Sequence, residues 1–311
     1  MPLTQLRYFH EVARTGSIRE ASERLHVTPS SISRQIKNLE YETGMPLFER
    51  RTRGMVLTAA GELYLSYARS VLFDLERLHS EIDELKGMRR GRVRIATIEG
   101  MVADTLLPAI ARFRERYSGV TFHVTTMGTD LIPEAIQTSE VDIGLAYNAE
   151  PNIDVRFAFK ISDPLHAIVH HDHPLARLHH VSLAEALTCA VAVPEATFGI
   201  RRLIEQCCRA ERLRLRPMLV TNSIEALRAF ARTGAGLTML PLLSISADHE
   251  RGAVAAVPFK EVTLRRSSVD ICVAAERKLP VAAEAFLVHL QQFCAEIGRL
   301  RYGQAAGVES K

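Results

Sequence analysis

The sequence predicts an α plus α/β fold: a small helical unit with a β-hairpin, one long helix, and an α/β region of two lobes. Three observations support this prediction. Two short, capped helices and a basic hairpin fit between Ser17 and Thr58, and a heptad pattern of apolar residues runs without a break from Tyr64 to Leu85. Beyond that helix, strands and helices alternate in two successive sets, which is typical of α/β lobes.

The first two helices are indicated by apolar spacing and by capping residues. Leu6, Phe9 and Val12 lie on one face of a helix that ends near residues 15–16. Ser17 is a strong N-cap for the second helix, and Glu20, three residues later, predicts a capping box. Residues 26–27 then form a tight turn.

The third helix presents a polar and basic face. Thr28 caps it, Pro29 takes its first position, and Gly44 is placed to end it in the left-handed conformation. Its buried face holds Ile32, Ile36 and Leu39, whereas its other face carries Ser, Arg, Gln and Lys with no acid before residue 40. Such a face suits a polyanion, and Arg and Gln pair with base edges in the major groove. Two helices in this order predict a helix-turn-helix.

The hairpin that follows, residues 45–57, predicts a wing. Its arginines, Arg50, Arg51 and Arg53, are placed to reach phosphates or a minor groove. A solvated turn with scattered arginines is the alternative, but the preceding acid-free helix favours the wing. The predicted DNA-contacting residues are Ser17, Thr28, Pro29, Ser30, Ser31, Ser33, Arg34, Lys37, Arg50, Arg51 and Arg53.

A long helix from Ala59 to about Lys86 carries the heptad pattern. An unbroken alternation of spacings of four and three predicts a helix–helix dimer interface, and the alternative is a long helix that lies on its own domain. The seam residues are Tyr64, Ala68, Val71, Leu75, Leu78, Ile82 and Leu85.

Charge and cysteine content restrict the class of protein. The first 58 residues hold nine Arg and Lys against six Glu, so they carry the whole net charge of +3 of the 311 residues. This asymmetry indicates a nucleic-acid module attached to a near-neutral remainder. An odd cysteine count, no CxxC spacing and no signal peptide predict reduced thiols in a cytoplasmic protein. No apolar run approaches the ~18 residues of a membrane span, so we expect no membrane partner.

The remainder predicts two α/β lobes with mostly parallel sheets and right-handed crossovers. In the first set, strands are expected at 93–98, 120–126 and 141–146, with helices at 103–117 and 131–138. In the second, strands are expected at 189–193, 218–221 and 237–240, with helices at 200–209 and 223–233. A strand at 268–275 and a helix at 280–297 complete the region. Ligands of open α/β sheets bind beyond the carboxyl ends of strands, which here predicts a cleft between the lobes.

The chain resembles the LysR-type transcriptional regulators along nearly its whole length. The resemblance rests on LRYFHEVARTGSIREASERLHVT, SISRQIKNLE, GMPLFERRTRGMVLTAAGE, LLPAIARFRERYSGV, VDIGLAY, HPLA and GAGLTMLP. It implies a winged helix-turn-helix, a dimerising helix, an effector domain like the two-lobed periplasmic binding proteins, and dimers of dimers on double-stranded promoter DNA. The family often reads Gln-Pro where this chain reads Pro29-Ser30.

The domain limits expected from these patterns are 1–58 for DNA binding, 59–88 for the dimerisation helix and 89–300 for effector binding. Within the effector domain, the first lobe covers about 92–161 and 267–300, and the second about 162–266. Residues 301–311 are expected to be a disordered tail. The family's effector site, carried onto this chain, consists of Thr97, Ile98, Glu99, Gly100, Met101, Gly128, Thr129, Tyr147, Pro194, Glu195, Phe198, Gly199, Asn222 and Ser223.

Glu99 and Glu195 suggest an acidic cleft. If both carboxylates point inward, they favour an amine, an amide or a zwitterion as the effector of this regulator. Two alternatives remain: both are solvated loop residues, or Glu99 caps its own helix.

Catalytic and metal chemistry are not predicted, and no cofactor is expected. The dense histidines between His166 and His180 lack a cysteine or a paired carboxylate at ligand spacing. Cys207 and Cys208 read as buried packing, and motifs for a nucleophile elbow, a zinc protease or a phosphate loop are absent from the sequence. The rival hypothesis is a cytosolic small-molecule binder or enzyme that uses its amino-terminal helices only for assembly.

Overall fold

The computed structural model describes residues 3–51, 54–85 and 90–302 of the 311. The described residues through Leu85 form one compact unit, and most of those from Arg90 onward form a second. The wing arginine at 53, the glycine at 87 and the tail beyond 302 lie outside the described residues, as does the side chain of Leu85. No helix of the described part is long and apolar enough to cross a membrane.

The first unit contains four helices and a two-stranded hairpin. The helices are α1 Leu3–Thr15, α2 Ile18–Leu25, α3 Pro29–Thr43 and α4 Ala59–Leu85, and the antiparallel strands are β1 Phe48–Arg51 and β2 Gly54–Leu57. Its core is an apolar cluster in which the Phe9 ring contacts the rings of Phe48 and Tyr64 at centroid distances of 5.0 and 4.8 Å. Burial of these rings holds α1, the hairpin and the start of α4 together.

The first lobe of the second unit is built on a five-stranded mixed sheet. Its strands are β3 Arg90–Thr97, β4 Gly119–Thr126, β5 Ile143–Tyr147, β6 Val155–Ser162 and β12 Ser268–Ala274, in the spatial order β4-β3-β5-β12-β6. β3 pairs in parallel with β4 and β5, whereas β12 is antiparallel to both of its neighbours. Its helices are α5 Leu107–Arg116, α6 Ile132–Gln137 and α12 Val281–Tyr302.

The second lobe repeats this topology. Its strands are β7 Leu165–His170, β8 Val191–Pro194, β9 Leu219–Thr221, β10 Leu237–Pro241 and β11 Val254–Pro258, in the order β9-β8-β10-β7-β11. Three strands are again parallel, and β7 is again the antiparallel fourth strand. Its helices are α7 Leu183–Ala186, α8 Gly199–Ala210, α9 Ile224–Arg232, α10 Ser246–Glu250 and α11 Val262–Arg265.

The predicted fold class is confirmed, and the sheets differ from the prediction in several details. β6, β7 and β11 were not predicted, and each sheet is mixed because the chain crosses between the lobes twice, once after β6 and once after β11. β3 also begins at Arg90, three residues earlier than expected, because β4 offers parallel partners along its whole length. Of the dense histidines, His166 and His170 lie in strand β7.

Candidate functional site

The start of α3 has the predicted local geometry. Thr28 Oγ1 accepts a hydrogen bond from the Ser31 N–H at 3.3 Å, Pro29 takes the first position, and Gly44 ends the helix with φ of 68°. Ile32, Ile36 and Leu39 are buried in the core of the unit. Because one face is fixed inward, the opposite face is directed to solvent.

The solvent face of α3 carries the predicted polar side chains. Ser30, Arg34 and Lys37 are exposed, and Ser31 and Ser33 are half-buried. Glu40, the first acid of the helix, turns toward the wing instead. Its carboxylate accepts from the Leu47 N–H at 3.0 Å and the Phe48 N–H at 3.3 Å. The sequence did not indicate this role, which fixes the hairpin to the recognition helix and removes the acid from the polar face.

The helix before it shows a departure from the predicted capping box. Ser17 Oγ accepts from the Glu20 N–H at 3.3 Å, but the Glu20 carboxylate accepts from the Arg24 guanidinium at 2.9 Å. The Ser17 N–H donates to Thr15 Oγ1 at 3.3 Å instead. The box is therefore half formed, because an i, i+4 arginine competes for the carboxylate.

The two strands of the wing, β1 and β2, lie beside these helices. The Gly16 carbonyl accepts from the Met55 N–H at 2.8 Å, which ties the second strand to the turn after α1. Arg50 and Arg51 are exposed, and the Arg51 guanidinium donates to the Glu49 carboxylate at 3.2 Å. Such an exposed pair is weak, so Arg51 stays available to a phosphate.

The seam residues of α4 divide into two groups. Tyr64 and Ala68 are buried within their own unit, and Val71 and Leu75 are half-buried. Leu78 and Ile82 are exposed by 49% and 38%. The beginning of the predicted dimer seam is therefore used inside one chain, as the alternative interpretation expected.

Four exposed apolar side chains lie along one side of the same helix, at a slightly different angle from the seam, in two pairs with the exposed Asp74 between them. At 100° per residue the four fall within one third of the circumference. We call this set the α4 stripe, and it consists of Leu63, Tyr67, Leu78 and Ile82. Sequence spacing missed Leu63 and Tyr67 because the heptad seam passes through Tyr64 and Ala68. Exposed apolar side chains on one side of a helix are a candidate interaction surface.

A small cavity lies in the cleft between the two lobes of the second unit. Its volume of about 20 Å³ has room for roughly one water molecule. Among the predicted effector residues, those that line it are Ile98, Gly100, Met101, Thr129, Tyr147, Phe198 and Gly199. The lining residues that sequence reasoning missed are Ile200, Ile224, Pro241, Ser244 and Val269. Pro241 ends β10, so the carboxyl-end rule would have indicated it.

The other predicted effector residues lie outside this lining: Thr97, Glu99, Gly128, Pro194, Glu195, Asn222 and Ser223. The Thr97 side chain is fully buried, and its hydroxyl donates to the Ile98 carbonyl at 3.1 Å. Glu195 and Asn222 are exposed.

Tyr147 has a structural role in addition to lining the cavity. Its hydroxyl lies 2.8 Å from the Asp163 carbonyl oxygen and 2.7 Å from Ser267 Oγ, which belong to the two segments that cross between the lobes. Burial raises the pKa of Tyr147 well above its usual value. The neutral hydroxyl therefore fixes the lobe crossings to the first lobe.

Glu99 does not face Glu195 across an acidic cleft. Its carboxylate accepts from the Ile224 N–H at 2.9 Å and from Ser223 Oγ at 3.4 Å, at the start of α9 in the other lobe. Glu195 is exposed. Neither the acidic cleft nor its two alternatives describes Glu99, because this carboxylate caps a helix 124 residues away in sequence.

The helical segment after Glu99 also differs from the predicted helix. A 3₁₀ turn at Glu99–Met101 leads into one π turn at Val102–Leu106 before α5 begins. π turns inside helices are frequent at functional sites. Here the tight first turn places Glu99 at the rim of the cleft.

Three neighbouring side chains have the geometry to hold a metal ion. The ligand atoms of His170, His171 and Asp172 lie within 4.8 Å of one another on the surface of the second lobe. Asp172 follows directly after the histidine pair and was not among the residues predicted from the sequence. His171 and Asp172 are exposed, and the Asp172 N–H already donates to His170 Nδ1 at 3.3 Å. We expect no resident metal here, because exposed ligands of this kind lack the supporting shell of a built site.

The vicinal cysteines are buried, as the packing interpretation expected. Burial raises the pKa of Cys207 to about 11 and also raises that of Cys208. Thiols in this state are poor nucleophiles. The structure thus favours a packing role for both.

Two protein families match the chain. Residues 3–62 match the family described as bacterial regulatory helix-turn-helix protein, lysR family, and residues 86–295 match the LysR substrate binding domain. The HTH-type transcriptional activator CmpR of Synechocystis sp. is 27% identical over 289 residues, covering 93% of this chain and 94% of that protein. The RuBisCO operon transcriptional regulator of Allochromatium vinosum is 30% identical over 249 residues, covering 80% and 82%.

Solved structures show the same fold. A full-length OxyR variant from Pseudomonas aeruginosa superposes with a TM-score of 0.75 at 20% identity, covering 100% of this chain and 99% of that chain. Full-length CbnR complexed with its target DNA has a TM-score of 0.65 at 22% identity, covering 94% and 100%.

Proposed function

The chain belongs to the LysR family of transcriptional regulators, and from this premise we propose that α3 and the wing read a specific promoter sequence. The observation that carries this proposal is the solvent face of α3, which is polar, basic and free of acid up to Glu40. Ser33 and Arg34 are assigned to base edges, and Arg50, Arg51 and Arg53 to the backbone or minor groove. The remaining predicted DNA-contacting residues lie at the caps of α2 and α3 and along α3, and we assign them to the DNA backbone: Ser17, Thr28, Pro29, Ser30, Ser31 and Lys37.

DNA binding is tested by gel shift against the gene's own upstream region, with random DNA of equal length as the control. Affinity is expected to fall linearly with salt on a logarithmic scale, by roughly a thousandfold or more between about 50 and 200 mM, as for six or more phosphate contacts. Equal affinity for specific and random DNA at every salt concentration would contradict the proposal.

The cleft of the second unit is proposed to bind a small-molecule effector. Its apolar walls, including Met101, Phe198 and Ile224, and the few polar groups at its rim are typical of such pockets. Effector binding would change the arrangement of the lobes and so shift the population of promoter-bound states. Because the relatives are named as regulators, we propose no catalytic role. The rival assignment as an enzyme or simple binding protein lacks comparable support.

Assembly is proposed to use the α4 stripe. The stripe consists of exposed apolar side chains, and a second copy of α4 would cover them: Leu63, Tyr67, Leu78 and Ile82. The dimer would bind a pseudo-palindrome with half-sites about one helical turn apart or a multiple of it. A dimer of dimers and a cytoplasmic location complete the proposal; the five free cysteines suit a reducing compartment.

A further inference from the structure

The contact made by Glu99 joins the two lobes across the cleft. Glu99 follows β3 of the first lobe, and its carboxylate contacts the first N–H of α9 and the Ser223 hydroxyl in the second lobe. Glu99 Oε2 accepts from the Ile224 N–H at 2.9 Å, and Oε1 accepts from Ser223 Oγ at 3.4 Å. The first N–H groups of a helix lack partners inside the helix and favour negative charge. The carboxylate therefore has a favourable position that only the folded lobes provide.

The Ser223 hydroxyl makes one hydrogen bond within its own lobe and one to the other lobe. Its Oγ accepts from the Ala226 N–H at 3.2 Å, which is the usual N-cap bond of α9. A hydroxyl also has one proton to donate, and that proton points to Glu99. With Ser223 as cap and Glu99 as additional acceptor, the Ile224 and Ala226 N–H groups at the start of α9 have acceptors within the protein.

Other contacts around the cleft hold the lobes close together. Arg202 of α8 pairs with the Asp130 carboxylate of the first lobe, and its guanidinium donates to the Asn148 carbonyl at 3.4 Å. A Cβ on Gly128 would lie 2.7 Å from the Thr197 carbonyl oxygen, so the two backbones approach too closely there for a larger residue.

The cavity lined by Ile98, Met101 and Phe198 is too small in this state for an effector. Ligand pockets usually enclose about 300–1,000 Å³, whereas this cavity holds roughly one water molecule. An effector that binds here therefore has to separate contacts that already exist, and the contact of Glu99 with the start of α9 is one of them.

We propose that Glu99 is a latch: its carboxylate occupies the start of α9 and holds the two lobes closed until an effector displaces it. This proposal rests on the assignment of the cleft as the effector site. In the latch, the Glu99 carboxylate contacts the start of α9 and does not stand free in the cleft, so it leaves room for an effector once it is displaced. The latch lowers the population of open lobes, so the effector's observed affinity depends on how readily this contact breaks.

Chemical rescue tests the latch directly. The full chain carrying Glu99→Ala is expected to unfold at a temperature lower by ~2–4 °C for the second unit, as for a loss near 1 kcal/mol in a domain of this size. Acetate, which restores a carboxylate without a tether, is expected to recover a large part of that loss. Acetamide has the same shape without the charge and should recover none, and the wild type should respond to neither.

Two further variants keep the test decisive. Glu99→Gln preserves the size of the side chain and removes its charge, so it replaces Glu99→Ala if that variant does not fold. A melting temperature of Glu99→Gln equal to that of the wild type would overturn the latch. Glu115→Ala removes an exposed carboxylate from α5 of the same lobe and controls for net charge. Equal rescue by acetate and acetamide, or acetate rescue of Glu115→Ala as large as that of Glu99→Ala, would also overturn it.

Gel shifts on the same proteins separate the two proposals. If Glu99→Ala binds promoter DNA specifically but shows no acetate rescue, the latch is wrong and the regulator assignment stands. If acetate rescue occurs in a chain without specific DNA binding, the latch stands as a lobe contact while its regulatory role fails with the proposed function.

Discussion

The helices α3 and α9 both begin with a hydroxyl N-cap, yet their surroundings are opposite. Beyond the Thr28 cap, the start of α3 is exposed and its polar face is open to a partner. Beyond the Ser223 cap, the start of α9 is covered by Glu99 from the other lobe. The polar face of α3 is therefore open to a partner such as DNA without any displacement of these side chains. A ligand of the cleft, in contrast, has to replace the contact between Glu99 and the start of α9.

The largest expected effect is on self-association, and it tests whether the α4 stripe of the first unit binds a second copy of the chain. Leu78→Asp combined with Ile82→Asp would bury two carboxylates in the proposed dimer. Burial of each would make the free energy of association less favourable by roughly several kcal/mol. Light scattering is expected to show half the mass, and DNA affinity should drop with it. Ile153→Asp is the matched control, since Ile153 is 92% exposed in the second unit. An unchanged mass in the double variant would show that α4 stays uncovered.

A smaller effect tests the open polar face of α3. Arg34→Ala is expected to cost about 1–3 kcal/mol on the specific site and to relax preference at one base pair. Arg50→Ala is the comparison, because loss of a phosphate contact weakens specific and random DNA alike. Quantitative gel shifts on both DNAs measure the difference. Equal losses on the two DNAs for Arg34→Ala would move Arg34 from base reading to backbone contact.

The smallest effect compares the two caps themselves. Thr28→Ala is expected to destabilise the first unit by about 1 kcal/mol, the usual value of an N-cap. Ser223→Ala should cost the second unit at least as much, because Ser223 Oγ also donates to Glu99. Calorimetry resolves the two unfolding transitions if the units melt separately. A Ser223→Ala variant as stable as wild type would show that the start of α9 does not depend on its cap.

Much of the first unit was predictable because its signals are local. The caps Ser17 and Thr28, the position of Pro29 and the end at Gly44 each act within about four residues of the chain. The apolar spacing then directed the polar face outward. The role of Glu40 was not predictable in this way, since its partners Leu47 and Phe48 belong to the next element.

The cleft was predictable in its location but not in its contacts. The carboxyl ends of the predicted strands indicated a cleft, and the family resemblance placed Ile98, Met101 and Phe198 in it. All three line the cavity. The mixed character of each sheet was missed because β6, β7 and β11 were not predicted, although β6 alternates apolar and polar residues between Val155 and Ser162. The order of the strands also depends on where the chain crosses between lobes.

The sequence by itself determined the class of fold, the helix-turn-helix with its wing, and the family, because caps, turns and apolar periodicity are properties of short stretches of chain. Only the tertiary structure decided that Tyr64 and Ala68 pack inside their own unit while the α4 stripe stays exposed, and that Glu99 lies on α9 rather than opposite Glu195. The physical reason is distance along the chain: a hydrogen bond between residues 99 and 224 exists only after two lobes have folded and closed, and no local pattern encodes it.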